Sequence, residues 1–112
     1  MKLITAVVQP DKLDDVVRTA AENGAHGLTA TEVMGFGQQF GRRGADALSD
    51  QSALVLPKVR VDVVVQDELA GPLTDAIAKA VNTGSIGDGK IWISPVESAL
   101  RVRTGERDGA AV

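Results

Sequence analysis

The run Gly84-Ser85-Ile86-Gly87-Asp88-Gly89-Lys90 carries the most specific chemistry in this chain. Its letters match the GxxxxGK pattern of a phosphate-binding loop, but Ile91 stands where that pattern needs a magnesium-binding Ser or Thr. The order of elements is also inverted. A loop of that type runs from strand into helix, whereas this one leaves a helical stripe and enters an extended run, which argues against an ordinary P-loop NTPase. The physics of phosphate remains: Gly87 and Gly89 let successive backbone N–H groups converge on an anion, and Lys90 adds a positive charge beside them. Asp88 in such a nest would repel phosphate unless its backbone faces the ligand and its side chain turns away, to hold a neighbouring cation or a ribose.

Arg101 and Arg103 alternate along what reads as an extended segment, so both guanidinium groups face one side and can fork onto phosphate oxygens. Taken singly, the glycines are a helix end plus a turn and the arginines an exposed strand face. Together they supply what a polyphosphate needs. Catalysis has little support: His26 is the only histidine, with no nucleophile near it in sequence. The Asp and Glu residues show no metal-ligand spacing.

The elements that must position these groups follow from periodicity. Lys2 to Val8 is a β-rich run, and Leu13, Val16, Val17, Ala20 and Ala21 then share one helical face, with Asp11 as its cap and Gly24 as its stop. Leu28 to Phe36 reads as a second strand and the alternating Val59, Val61, Val63 and Val65 as a third. Leu69, Leu73, Ile77 and Val81 form a second helical stripe ending at Asn82-Thr83-Gly84, with Pro72 expected in its first turn. Lys90 to Ile93 and Ala99 to Arg103 supply further extended segments. The order is the βαββαβ pattern of a ferredoxin-like α+β sandwich, its Val-rich sheet covered on one side by helices and on the other by packing between subunits. The long stretch between strands two and three, residues 37–55, has no core periodicity and is expected to be a contact loop.

Composition bounds the rest. A chain of 112 residues with 44% apolar content fits one domain, residues 1–112. The absence of cysteine rules out a disulfide framework and thiolate metal sites. The opening residues lack a signal-peptide pattern and no apolar run approaches a membrane span, so a cytoplasmic location is expected. A net charge of −3 and only three aromatics, Phe36, Phe40 and Trp92, argue against nucleic-acid binding.

The motifs Thr31-Glu32-Val33, Gly35-Phe36-Gly37-Gln38-Gln39, Leu56-Pro57-Lys58-Val59, Ile86-Gly87-Asp88-Gly89-Lys90 and Arg101-Val102-Arg103-Thr104-Gly105-Glu106 resemble those of the P-II nitrogen regulatory proteins. The match runs in register along the chain, the central loop excepted. The resemblance implies a non-enzymatic signalling homotrimer with one nucleotide site in each cleft between neighbouring subunits, where ATP and ADP compete. Gly87, Asp88, Gly89 and Lys90, in the short B-loop of residues 82–90, would surround the phosphates. Arg101 and Arg103, in the C-terminal segment of residues 101–112, would reach them from the adjacent subunit. Thr29, Gly37 and Val64 would line the base and ribose. It further implies that Mg-ATP recruits 2-oxoglutarate, with Gln39 binding Mg²⁺ and Lys58 pairing with the distal carboxylate.

The central loop departs from the family. There is no tyrosine for uridylylation, Gln51 standing in its place, and Gly44, Asp46, Ala47 and Leu48 occupy the usual partner-binding stretch. Ser49 falls where some relatives are phosphorylated. The expected partner is a regulated protein of nitrogen metabolism, an ammonium channel or an enzyme, with membrane contact only through that partner. The alternative is a small phosphate-processing enzyme on the same fold, similar to an acylphosphatase.

Overall fold

Strand β1 (Lys2–Val8) places Ile4, Ala6 and Val8 on one face and Thr5 and Val7 on the other, the period-two alternation of a pleated strand. A computed structural model describes residues 1–37 and 55–112. After β1 come α1 (Leu13–Glu22), β2 (Thr29–Gly35), β3 (Leu56–Val65), α2 (Asp67–Val81) and β4 (Gly89–Pro95). The sheet order is β2-β3-β1-β4, and every neighbouring pair is antiparallel. This is the ferredoxin-like βαββαβ arrangement expected from the pattern.

Register explains the core. Ile4, Ala6 and Val8 lie opposite Val63, Val61 and Val59, which puts the apolar residues of β1 and β3 on the face that the helices cover. Val16 and Ala20 of α1 and Ala70, Leu73, Ile77 and Val81 of α2 close over them. Each buried Val, Leu or Ile contributes roughly 1.5–3 kcal/mol against the entropy of ordering the chain. A one-residue slip of β3 would turn its valines away from the helices, so the pattern also sets the register.

On the opposite face Thr5 is fully buried, flanked in register by Asp62 of β3 and Trp92 of β4. The Thr5 hydroxyl donates to Asp62 Oδ1 at 2.7 Å, and Arg60 Nε donates to Asp62 Oδ2 at 3.0 Å. Burial alone would raise the Asp62 carboxyl. The hydrogen bonds from Arg60 and Thr5, with the charge of Arg60, instead hold it below its ordinary value.

Three local expectations are corrected. Asp11 does not cap α1: Pro10 starts a 3-10 turn (Pro10–Lys12) that takes Asp11 into itself, and Lys12 stands at the helix entry without a side-chain cap. Gly24 does end the segment, at φ +95°. Pro72 lies inside α2 beyond its first turn, where it removes the bond that the Glu68 carbonyl would accept. Two features make this tolerable: Gly71 has no Cβ to meet the proline ring, and both Glu68 and Pro72 are exposed, so water can reach the orphaned carbonyl.

The third correction bears on the site. Residues Ala99 to Arg103 do not form a strand. An isolated β-bridge joins Leu100 to Arg107, the Arg101 N–H donates to the Glu106 carbonyl at 2.9 Å, and the Gly105 N–H donates to the Arg101 carbonyl at 2.8 Å. Thr104-Gly105, with Gly105 at φ +76°, is a turn signal that outweighs the alternation of Val102 with the two arginines. Gln66 Nε2, just before α2, donates to the Gly109 carbonyl at 2.8 Å, in the 3-10 turn (Asp108–Ala111) that follows this hairpin.

Candidate functional site

Helix α2 ends at Val81, where Asn82 leaves helical geometry and the chain enters the glycine run with positive φ at Gly84, Gly87 and Gly89. Asp88 ties this loop together. Its carboxylate accepts from the Thr83 N–H at 2.7 Å, the Gly84 N–H at 3.0 Å and the Thr83 hydroxyl, while its own N–H donates to the Ser85 carbonyl at 3.3 Å. The Thr83 hydroxyl and the surrounding backbone N–H groups hold the Asp88 carboxyl below its usual range. The carboxylate is therefore engaged within the loop, and Asp88 is not among the residues that line the cleft shared by Lys58 and Lys90. Its partners are its own loop's donors.

Gly89 is required for a packing reason. A Cβ there would overlap the Val7 carbonyl oxygen and meet the Val7 carbonyl carbon at 3.0 Å, so only glycine lets β4 begin this close to β1.

The loop forms one wall of a cleft of about 480 Å³. Gly35, Gly37, Lys58, Gly87, Gly89 and Lys90 line it, and Phe36 and Ile86 add apolar surface. Lys58 is buried on β3 and donates from Nζ to the Gly87 carbonyl at 3.1 Å. Two ammonium groups thus share a cleft with a glycine loop whose one carboxylate is turned back on itself. Such a cleft suits a phosphate or a carboxylate.

Thr29, Val64 and Arg101 meet elsewhere, in a cleft of about 370 Å³ that also includes His26, Asp62 and Val112. His26 Nδ1 lies 3.2 Å from the Val112 carbonyl oxygen, and Arg101 Nη1 donates to Glu106 Oε1 at 3.0 Å. Arg103 sits exposed in the hairpin turn and lines neither cleft. The residues expected from sequence thus fall into two groups. Register puts them toward opposite ends of β2, since Thr29 pairs with Asp62 and Gly35 with Leu56.

Sequence reasoning missed Phe36, Ile86, Asp62 and His26 as lining residues. The first two had a signal, being apolar residues inside glycine-rich runs that cannot be core. Asp62 and His26 had none. Gln39, Ser49, Gln51 and the loop side chains Phe40, Arg42, Arg43 and Leu48 lie outside the described residues. Among the described residues no group of three or more His, Cys, Asp or Glu is placed to hold a metal ion, and no helix is long and apolar enough to cross a membrane.

Fold and clefts together define a ferredoxin-like α+β protein with an anion-suited cradle between α2 and β4. The family model described as nitrogen regulatory protein P-II matches residues 1–106. The chain is 46% identical, over 100% of both chains, to nitrogen regulatory protein P-II of Azospirillum brasilense and to nitrogen regulatory protein P-II 1 of Escherichia coli K12. The same identity and coverage hold for the P-II protein of Klebsiella oxytoca. This chain belongs to the P-II nitrogen regulatory protein family, and it is a signalling regulator, not an enzyme.

Proposed function

We propose that the protein senses ATP and ADP as a homotrimer, each nucleotide held between two copies of the chain. The observation that carries this is the division of the site. Lys90, Gly87, Gly89 and Gly37 gather at one end of the sheet, and Thr29, Val64 and Arg101 at the other. Six residue-to-residue steps along β2 take Thr29 to Gly35, about 20 Å at the rise of an extended strand. Neither group alone offers both a phosphate cradle and an arginine fork. A neighbouring copy supplies the missing half.

Within such a site Lys90 and the loop amides would bind the phosphates, and Arg101, with Arg103 beside it in the hairpin, would reach them from the other copy. Thr29 and Val64 would meet the base. Magnesium on the phosphates, with the Gln39 amide oxygen as a ligand, would supply a hard-cation site for the keto acid 2-oxoglutarate, whose remaining carboxylate Lys58 would neutralise. The output is control of a protein of nitrogen metabolism, an ammonium channel or an enzyme, by residues 37–55 in the cytoplasm.

Mixing two defective variants tests the shared site. Lys90→Ala and Arg101→Ala each remove a charge-assisted contact and should weaken nucleotide binding about tenfold. Unfolded and refolded together, they should form mixed trimers in which some interfaces combine an intact Lys90 with an intact Arg101, so a fraction of sites regains wild-type affinity. No regain on mixing would place both halves in one chain and overturn the proposal.

A further inference from the structure

We propose that Lys58 positions the phosphate loop before any effector arrives, through its hydrogen bond to the Gly87 carbonyl. This rests on the nucleotide site proposed above and adds a role to a lysine expected there only as a carboxylate partner.

Three observations support it. The Gly87 carbonyl accepts from Lys58 Nζ at 3.1 Å, across a sequence separation of 29 residues, so the bond ties the loop to the sheet and not to itself. Lys58 is buried, paired in register with Val33 of β2 and next to Val59, where the ladder to β1 begins, and it therefore offers an anchor in the sheet. Gly87 sits at φ +103°, a region that glycine enters and leaves at little steric cost. The peptide joining Gly87 to Asp88 is held at its N–H by the Ser85 carbonyl, at 3.3 Å within the loop, and at its carbonyl by Lys58, the one of the two contacts that reaches the sheet.

The direction in which that peptide is held matters chemically. With its carbonyl turned to an ammonium, the oxygen's partial negative charge is neutralised at the point where an anion would enter. Rotated the other way, the same oxygen would face the anion and repel it. The Asp88–Thr83 knot secures the near side of the loop, and the Lys58 contact secures the far side. Lys58 is thus a positioning residue for nucleotide phosphate, acting through Gly87.

The test compares the wild type with Lys58→Met, Lys58→Gln and Lys58→Arg, without 2-oxoglutarate. Hydrogen exchange over residues 82–90 of the ligand-free protein reads the loop, and calorimetric titration with ADP and with ATP reads the consequence. Lys58→Met should speed exchange at Gly87 and Asp88 and weaken both nucleotides about tenfold, the worth of a hydrogen bond to a charged group. Lys58→Arg, which keeps donor and charge, should restore both, and Lys58→Gln, which keeps only a donor, should restore the exchange in part. Gln also keeps the test alive should Met fail to fold. Wild-type loop exchange in Lys58→Met and Lys58→Gln would overturn the proposal. A wild-type protein that binds no nucleotide would sink the nucleotide site itself, while the exchange comparison would still decide whether Lys58 holds the loop.

Discussion

The carbonyl oxygen of Val7 occupies the space that a side chain on Gly89 would need. Gly89 also stands at φ +111°, so alanine there is strained twice, in its own backbone and against β1. Gly89→Ala should destabilise the fold by about 2 kcal/mol or more. Gly37→Ala, where an added Cβ meets nothing within 4 Å among the described residues, should stay within about 0.5 kcal/mol of the wild type. Urea denaturation midpoints check both.

Asp88 gives the loop a pH dependence of defined sign. A carboxyl whose folded-state pKa is depressed contributes stability above its unfolded pKa and loses it as pH falls through the folded value. The donors at Thr83 and Gly84 should therefore stay engaged across neutral and mildly acidic pH and be released only below the ordinary carboxylate range. Amide NMR shifts of Thr83 and Gly84 followed on acidification should show one titration below that range. Asp88→Asn should abolish it while leaving the core strands intact.

Thr5 and Asp62 form a polar contact on the sheet face away from the helices. Replacing Thr5 by Val keeps the shape but removes a donor from a partly buried carboxylate, and should cost about 1–3 kcal/mol. Because Asp62 also titrates below its ordinary value, the difference between Thr5→Val and the wild type should be full near neutrality and shrink as pH falls through that depressed value. Thermal melts at a series of pH values measure it.

These cases show what was legible in the sequence. The alternation of Val59, Val61, Val63 and Val65 and the stripe Leu69, Leu73, Ile77 and Val81 determined strands and helices because burial rewards those periods directly. Asp11 and Pro72 went astray because capping and proline rules are local, and here Pro10 and Gly71 altered the local geometry. Arg101 and Arg103 looked like strand neighbours, yet Thr104-Gly105 folds the chain back after them. That Gly87, Gly89 and Lys90 share one cleft was legible because they are neighbours in the chain. The contact from Lys58 to Gly87 could not, since nothing local joins positions 29 residues apart.

Arg101 is held by Glu106 in a half-exposed pair. If Arg101 reaches a nucleotide phosphate, that pair must loosen, at a cost typical of surface ion pairs of about 0.2–1 kcal/mol. Glu106→Gln should then tighten ADP and ATP by up to about fivefold, whereas Arg101→Ala weakens them. Equal affinity in Glu106→Gln and the wild type would mean that Arg101 stays with Glu106 or plays no part in binding.

The most direct test of the whole account is calorimetric titration of the wild-type protein with ADP, with Mg-ATP, and with 2-oxoglutarate before and after Mg-ATP. The division of the site between two clefts predicts one nucleotide per chain, with ADP displacing ATP. The Mg²⁺ proposed between the nucleotide phosphates and Gln39 predicts heat from 2-oxoglutarate only once Mg-ATP is bound, and by reciprocity a tighter Mg-ATP in its presence with ADP unaffected. No heat from either nucleotide, or equal binding of 2-oxoglutarate without one, would contradict the account.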